Sequence, residues 1–295
     1  MSKIRVSEIF RSIQGEGDMT GRLSIWIRFF GCNLKCPGFY QADPTDPSTF
    51  KKTKVDWKTI QKMADLPVFE YGCDSEYSWH PNYKKLVTEY PSAKELVAEL
   101  DQFLYDTCSE QGRSWHHPIT QNSIDLCFTG GEPMLQQKAI VEIMNEINVE
   151  DKYVQVQIET NGTKKVDKVL KDYVFNHGRS NLHFNISPKL YHVSGEKDAV
   201  NYDNIYDYQQ LANDSGILKF VINNDDRAWQ ELNRHVMMLR AHEVMLPIYV
   251  MPCGATKEQQ ENSSVVADIA KRAIDNGYHV SGRVHAIIFG NIMGT

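Results

Sequence analysis

The chain has 295 residues, 41% of them hydrophobic, with 14 Tyr, 12 Phe and 5 Trp. That is enough for one large domain or two ordinary ones with a substantial core. Its formal charge of −6 argues against an extended nucleic-acid surface, which needs a basic face. No run approaches the roughly 20 apolar residues of a membrane span, and the first residues lack the apolar centre of a signal peptide, so the expected compartment is the cytoplasm.

In chain order, apolar β-branched runs alternate with helical patterns. Leu23–Phe30 reads as the first strand. Residues Pro37 to Gly72 then change character. Turn formers at Pro37-Gly38, Asp43-Pro44 and Asp46-Pro47-Ser48 precede a short amphipathic stretch from Trp57 to Leu66, with Asp56 as its cap and Pro67 as its stop. This segment is expected to be an insertion carrying one helix. Ser92-Ala93-Lys94-Glu95 is a capping box that opens a helix through about Tyr105. Ile124–Phe128 reads as a strand, and Pro133 suits the first turn of a helix reaching Ile147. Strands follow over Tyr153–Ile158, Leu182–Ile186, Ile217–Ile222 and Leu246–Met251. Asp226 and Thr256 are candidate caps for helices ending near Arg240 and Gly277. Strands alternating with helices predict an α/β fold with a parallel sheet or open barrel, whose ligands bind at the carboxyl ends of the strands.

The chemistry begins at Gly31-Cys32-Asn33-Leu34-Lys35-Cys36. A C-x3-C-x2-C pattern would continue with cysteine at position 39, which is Phe39; the next cysteine is Cys73, in Cys73-Asp74-Ser75-Glu76-Tyr77-Ser78-Trp79. In the cytoplasm the six cysteines are metal-binding, reactive or buried thiols rather than disulfides. Two thiolates on a loop after a strand can grip a soft metal centre, with a third supplied from elsewhere. Three thiolates on a four-iron cluster leave one iron open to a ligand. From spacing alone, core or zinc-binding cysteines stand equally. Cys127 reads as core, Cys108 falls near a helix end, and Cys253 follows a strand end without an assigned role.

These words resemble the cluster loop of radical S-adenosylmethionine (SAM) enzymes, and more narrowly the 7-carboxy-7-deazaguanine synthase family, with the two halves of the motif separated by the 37–72 insertion. The resemblance implies a radical SAM partial (open) β/α barrel formed by the whole chain as one domain, and Cys32, Cys36 and Cys73 as ligands of a [4Fe-4S] cluster. Glu8-Ile9-Phe10-x-Ser12-Ile13-Gln14-Gly15-Glu16-Gly17 is similar to the family's substrate element. Gln14 and Glu16 would bond the amide and amino edge of a pterin. Arg28 would pair with its carboxylate, for which a planar guanidinium is suited. Ser75 would offer its hydroxyl to Mg2+. Thr129-Gly130-Gly131-Glu132-Pro133 resembles the element that binds the SAM amino group, through Gly130, Gly131 and Glu132. Glu159-Thr160-Asn161-Gly162 and Ser187-Pro188-Lys189 resemble the rest of the SAM wall, which gives Glu159, Thr160, Asn161, Ser187 and Lys189 as cofactor contacts. His285 stands near a family histidine that touches substrate.

The activity so implied is contraction of 6-carboxy-5,6,7,8-tetrahydropterin to 7-carboxy-7-deazaguanine with loss of ammonia, for queuosine and other 7-deazapurines. Its implied cofactors are the [4Fe-4S] cluster, SAM and Mg2+. Its implied partners are the pterin and an electron donor such as flavodoxin, with no nucleic acid or membrane, and a homodimer as the oligomeric form. Two alternatives remain open at this point. One is another radical SAM enzyme, such as a glycyl-radical activase, which has no need of Gln14, Glu16 and Arg28. The other is a non-catalytic zinc or iron–sulfur relative.

Overall fold

A computed structural model describes residues 3–107, 112–150, 152–177, 181–290 and 292–294; Cys108 lies outside the described residues. Strands β1 (Ile4–Ile13), β2 (Leu23–Phe29) and β3 (Thr88–Tyr90) come first, then helix α1 (Ala93–Leu100) and a small hairpin of β4 (Tyr105–Asp106) and β5 (Arg113–Ser114). The repeating part follows: β6 (Asp125–Gly130), α2 (Gln137–Ile147), β7 (Val156–Thr160), α3 (Lys168–His177), β8 (Leu182–Ile186), α4 (Tyr191–Ser194), α5 (Tyr202–Leu211), β9 (Gly216–Ile222) and α6 (Asp226–Ala241). The chain ends with β10 (Ile248–Pro252), α7 (Lys257–Gln260), α8 (Ser263–Asp275), β11 (His279–Val280) and α9 (Val284–Phe289).

Nine strands pair in one sheet, in the order β11-β10-β9-β8-β7-β6-β2-β1-β3. From β2 to β11 every pairing is parallel. Strand β1 runs antiparallel to β2, and β3 antiparallel to β1. The two outermost strands do not pair with each other, so the barrel is open. Among the described residues, no helix is long and apolar enough to cross a membrane.

Side chains alternate across the sheet with a period of two. One set (Leu126, Phe128, Val156, Ile158, Phe184, Ile186, Leu218, Phe220) is fully or almost fully buried in the main apolar core, with Ile140, Ile143 and Met144 of α2. The opposite set is polar: Asp125, Gln157, His183, Asn185 and Lys219 are all buried. They form a connected interior. Arg22 grips Asp125 with two bonds of 2.6 and 2.7 Å. Gln157 bonds Asp125 at 2.8 Å and receives the amides of Gln14 and Asn185. A buried polar group needs such partners, or it costs its full desolvation.

Several expected elements differ from those found. The Trp57–Leu66 helix does not form; the segment holds only turns and a 3₁₀ turn at Met63–Asp65. Local side-chain bonds outcompete the helix there. The Asp65 carboxylate accepts from the Gln61 and Lys62 amides, and the Thr59 hydroxyl donates to Asp56 O. Ile60, Leu66 and Phe69 instead build a small apolar cluster with Tyr77 and Tyr83. The Ser92 helix ends at Leu100, and Tyr105 is already in a strand. Asp225, not Asp226, caps α6 by accepting from the Arg227 amide. The helix starting after Thr256 is two helices, because Asn262 leaves helical dihedrals (φ −66°, ψ 84°). The Glu8-to-Gly17 motif begins inside a ten-residue strand, Ile4–Ile13. Its polar residues face a barrel interior that no local pattern announces.

Candidate active site

One cavity of about 260 Å3 opens at the carboxyl ends of the parallel strands and gathers most of the residues singled out in the sequence. Cys32 and Cys36 lie on the loop after β2. Cys73 arrives from the far side of the 37–72 segment. That segment closes on itself: the Gly72 amide donates to Phe39 O at 2.9 Å, and a Cβ on Gly72 would lie 3.7 Å from Pro37 O and 3.9 Å from Cys36 O. Cys73 is therefore returned beside Cys36, although no cysteine stands at position 39. Phe39 is a partly buried loop residue in the cavity wall, with the Lys189 ammonium 6.0 Å from its ring centre.

The loop bearing the first two cysteines is tied down on several sides. Its Lys35 and Cys36 amides both donate to Glu196 Oε1 at 2.6 Å. Asn33 donates to Thr163 Oγ1 at 2.8 Å and accepts from Asn161 Nδ2 at 3.2 Å, which joins the loop to the end of β7. N–H donors reach two of the sulfurs: the Leu34 amide to Cys32 Sγ and the Trp79 indole Nε1–H to Cys73 Sγ, both at 3.4 Å. Burial pushes the Cys32 thiol up to about 11 and the Cys73 thiol up to about 12; it pushes Cys36 up as well. Three thiols lining one cavity, Cys36 buried and Cys32 and Cys73 partly so, are a soft donor set suited to iron–sulfur ligation. Among the described residues, no three His, Cys, Asp or Glu side chains are gathered closely enough to hold a single metal ion.

Gly130 and Gly131 are required by packing. A Cβ on Gly130 (φ +142°) would lie 2.3 Å from Phe29 O, and one on Gly131 would lie 2.3 Å from Gly31 O and 2.7 Å from Cys32 Cβ. The two glycines let the turn after β6 press against the cysteine loop. Glu132 points away from the cavity. Its carboxylate is wholly buried and accepts from Thr160 Oγ1 and the Asn161 amide, both at 2.7 Å, and from the Met134 amide at 3.0 Å. Burial raises its pKa against these hydrogen bonds. Glu132 thus caps the turn and locks the ends of β6 and β7 together, leaving the Gly130–Gly131 backbone on the cavity side. Thr160, Asn161, Ser187 and Lys189 do line the cavity, with Lys189 Nζ donating to Ser187 O and Oγ at 2.8 Å.

On the opposite wall, Arg28 spends its Nε on Glu8 (2.7 Å) and reaches Ser75 Oγ with Nη1 at 3.4 Å. Its guanidinium also sits between the Phe10 and Tyr77 rings, at 5.7 and 5.6 Å. Gln14 donates to Gln157 and Glu159 at 2.8 and 3.1 Å. Glu16 is held by two cations: Lys219 Nζ at 2.5 Å and Arg283 Nε at 2.8 Å. Burial alone would raise the Glu16 carboxyl, but Lys219, Arg283 and His285 outweigh it and keep it well below the carboxylate range. His285 packs on Gly15, where an added Cβ would come 1.9 Å from its Nδ1. Burial, together with Arg283, depresses its pKa to about 4, so the imidazole is neutral at pH 7.

Sequence reasoning missed Lys219, Asp74, Arg283 and Trp26. Lys219 had a signal: it is the lone charge inside Gly216–Ile222. Trp26 lines the cavity, stacked on Phe10, with its indole N–H buried and unpartnered. A buried donor without a partner is expensive and marks a wall suited to a polar heterocycle. Cys253 also lines the cavity, and Cys127 is buried with Phe10 and Trp26.

No family model matches the chain. It is 25% identical over 296 residues to a 7-carboxy-7-deazaguanine synthase of Hyperthermus butylicus, covering 97% of this chain and 92% of that one. It is 22% identical to the enzyme of that name from Leptospira interrogans (99% and 98% covered) and 24% identical to that of Thermoplasma acidophilum (98% and 99%). The crystal structure of QueE from Escherichia coli superposes with a TM-score of 0.52 at 18% identity, covering 96% of this chain and 95% of that one. The parallel open barrel, the cysteine-bearing cavity at its carboxyl end and the end-to-end similarity make this chain a relative of the 7-carboxy-7-deazaguanine synthases.

Proposed function

We propose that this chain is a radical SAM lyase that contracts 6-carboxy-5,6,7,8-tetrahydropterin to 7-carboxy-7-deazaguanine with loss of ammonia, supplying 7-deazapurine nucleoside biosynthesis. The observation that carries the reading is the return of Cys73 to the cavity of Cys32 and Cys36, opposite Gln14, Glu16 and Arg28. A glycyl-radical activase needs the thiols but not that polar wall.

A [4Fe-4S] cluster with SAM supplies the one-electron chemistry that starts the ring contraction. The protein binds, orients and shields. Cys32, Cys36 and Cys73 would hold three irons and leave the fourth for SAM. The backbone of Gly130 and Gly131, with Thr160, Asn161, Ser187 and Lys189, forms the SAM wall, and Glu132 acts by locking it rather than by contact. Glu159 lines the cavity beside it, bound to Lys219 at 3.0 Å. Arg28 presents its Nη edge to the substrate carboxylate. Ionised Glu16 and the Gln14 amide face the amino–amide edge of the pterin. Neutral His285 adds a ring nitrogen that can donate or accept a hydrogen bond. Ser75 offers Mg2+ an oxygen, and a bound Mg2+ would neutralise the substrate carboxylate. Phe39, Tyr40 and Met293 also line the cavity and would help to exclude water. We further assign the 37–72 segment to an insertion within the cluster loop of a single domain, and place the protein in the cytoplasm as a homodimer reduced by a flavodoxin-type donor.

The test is anaerobic reconstitution, followed by assay of SAM cleavage and conversion of the tetrahydropterin. Cys73→Ala should abolish cluster assembly as fully as Cys32→Ala. A complete cluster in Cys73→Ala, or cluster-loaded parent protein inert toward both SAM and pterin, would overturn the reading.

A further inference from the structure

Arg283 belongs to no motif used above, yet its guanidinium makes three hydrogen bonds in the cavity wall, to three separate segments of the chain. The segment around it is stitched to the substrate loop. The Gly17 amide donates to Ser281 Oγ at 2.8 Å, and the Val284 amide donates to Gly15 O at 2.9 Å. From this mount Arg283 sends Nε to Glu16 Oε1 (2.8 Å), Nη2 to Asp74 Oδ2 (2.7 Å) and Nη1 to Gly254 O (2.9 Å). Its side chain is only 10% exposed. Asp74 in turn takes the Ser75 hydroxyl on its other oxygen, Oδ1, at 3.2 Å.

We infer that Arg283 is a positioning residue that couples the substrate edge of the cavity to the cation edge. The inference rests on the roles given above to Glu16 and Ser75. At one end Arg283 fixes the Glu16 carboxylate in place beside Lys219. At the other it anchors Asp74, so that Asp74 accepts the Ser75 proton. The Ser75 oxygen lone pairs are then turned away from Asp74, which is the state a hydroxyl must adopt to ligate a hard cation. Three acceptors on three separate chain segments require a planar fork. Lysine, a point charge on a flexible stem, cannot satisfy all three.

The experiment is calorimetry under anaerobic conditions on cluster-loaded protein without reductant, titrating 6-carboxytetrahydropterin and, separately, SAM. Arg283→Gln should weaken pterin binding roughly tenfold or more, because Glu16 loses a buried charged partner, while SAM affinity stays within about twofold. In turnover the same variant should lose kcat/KM mainly through KM, and it should need more Mg2+ for half-maximal rate. The Glu16→Gln/Arg283→Gln double variant should bind pterin no more than about twofold worse than Glu16→Gln, since Arg283 acts on that edge through Glu16. Arg283→Lys keeps the charge and loses the fork, so it should restore pterin affinity in part and leave the Mg2+ defect. If Arg283→Gln keeps the parental melting point and matches the parent in both pterin affinity and Mg2+ requirement, the inference is wrong while the function stands. Should Arg283→Gln not fold, parental values for both quantities in Arg283→Lys overturn it equally. If the parent itself binds no pterin, the proposed function and this inference fall together.

Discussion

Lys219→Met is the sharpest perturbation of the barrel interior, because it can be read without cluster or substrate. Lys219 Nζ lies 2.5 Å from Glu16 and 3.0 Å from Glu159. Its side chain is 3% exposed, against 13% and 16% for its partners, so solvent screening gives little relief. Burial pulls the ammonium pKa down, but Glu159 and Glu16 reverse this and raise it above that of a free lysine. Methionine fills nearly the same volume and removes only the charge. Removing one partner of a buried ion pair costs about 3–5 kcal/mol, a large part of the roughly 5–15 kcal/mol of a typical fold. With an m-value near 3 kcal/mol/M, the urea midpoint should fall by roughly 1–1.7 M. Arg283 still faces Glu16, so the lower figure is expected. The assay is equilibrium urea unfolding of cluster-free protein at pH 7.5, followed by tryptophan fluorescence. Adding Glu16→Gln and Glu159→Gln to Lys219→Met removes the uncompensated charges and should recover most of the loss. A midpoint shift below about 0.3 M in the single variant, or no recovery in the triple variant, would refute this account of the interior.

Two further outcomes follow from the same geometry. His285 has a folded-state pKa of about 4 against 6.5 when free, so the unfolded chain binds its proton first; His285 contributes stability that is complete above pH 6.5 and is lost as pH falls toward 4. Between pH 8 and pH 5 the parent should lose about 2 kcal/mol more than His285→Gln in urea titrations, and parallel pH profiles would show that the imidazole is not held neutral. Glu196→Gln weakens the two short amide bonds to Lys35 and Cys36 by about 1–2 kcal/mol together, at a position where Cys36 adopts a left-handed φ of 48°. The cluster should then be lost to a chelator several-fold faster, with the urea midpoint falling by no more than roughly 0.3–0.7 M; an unaltered rate would mean that the loop holds itself.

The alternation of strand and helix was sufficient to read a parallel sheet or open barrel and the side on which its cavity lies; the family resemblance of the strand-end motifs chose the open barrel. Alternating apolar residues such as Leu182, Phe184 and Ile186 mark their strands because the face toward the helices must be buried, whatever the rest of the chain does. Capping signals such as Ser92 and Thr256 gave helix starts, since a cap is chemistry within four residues. The Asp-Ser-x-Tyr-x-Trp words after Cys73 made the displaced third cysteine legible despite Phe39.

What the sequence could not supply was everything that depends on groups far apart in the chain. The Trp57–Leu66 pattern is amphipathic, yet its apolar residues answer to Tyr77 and Tyr83, and the helix does not form. Glu132 reads as a ligand-binding carboxylate, but partners on β7 and the residue after it, together with the Met134 amide, claim both its oxygens. Glu16, Asp74, Lys219 and Arg283 are single charges scattered over the chain, and only the curved open sheet and the returning 281–285 segment link them in one series of contacts under 3 Å. Local sequence thus determined most of the elements and singled out three cysteines that line the cavity, because propensity, capping and motif are short-range. Tertiary structure alone decided which charges meet, because a buried ion pair is defined by its partner and the partner is chosen by topology.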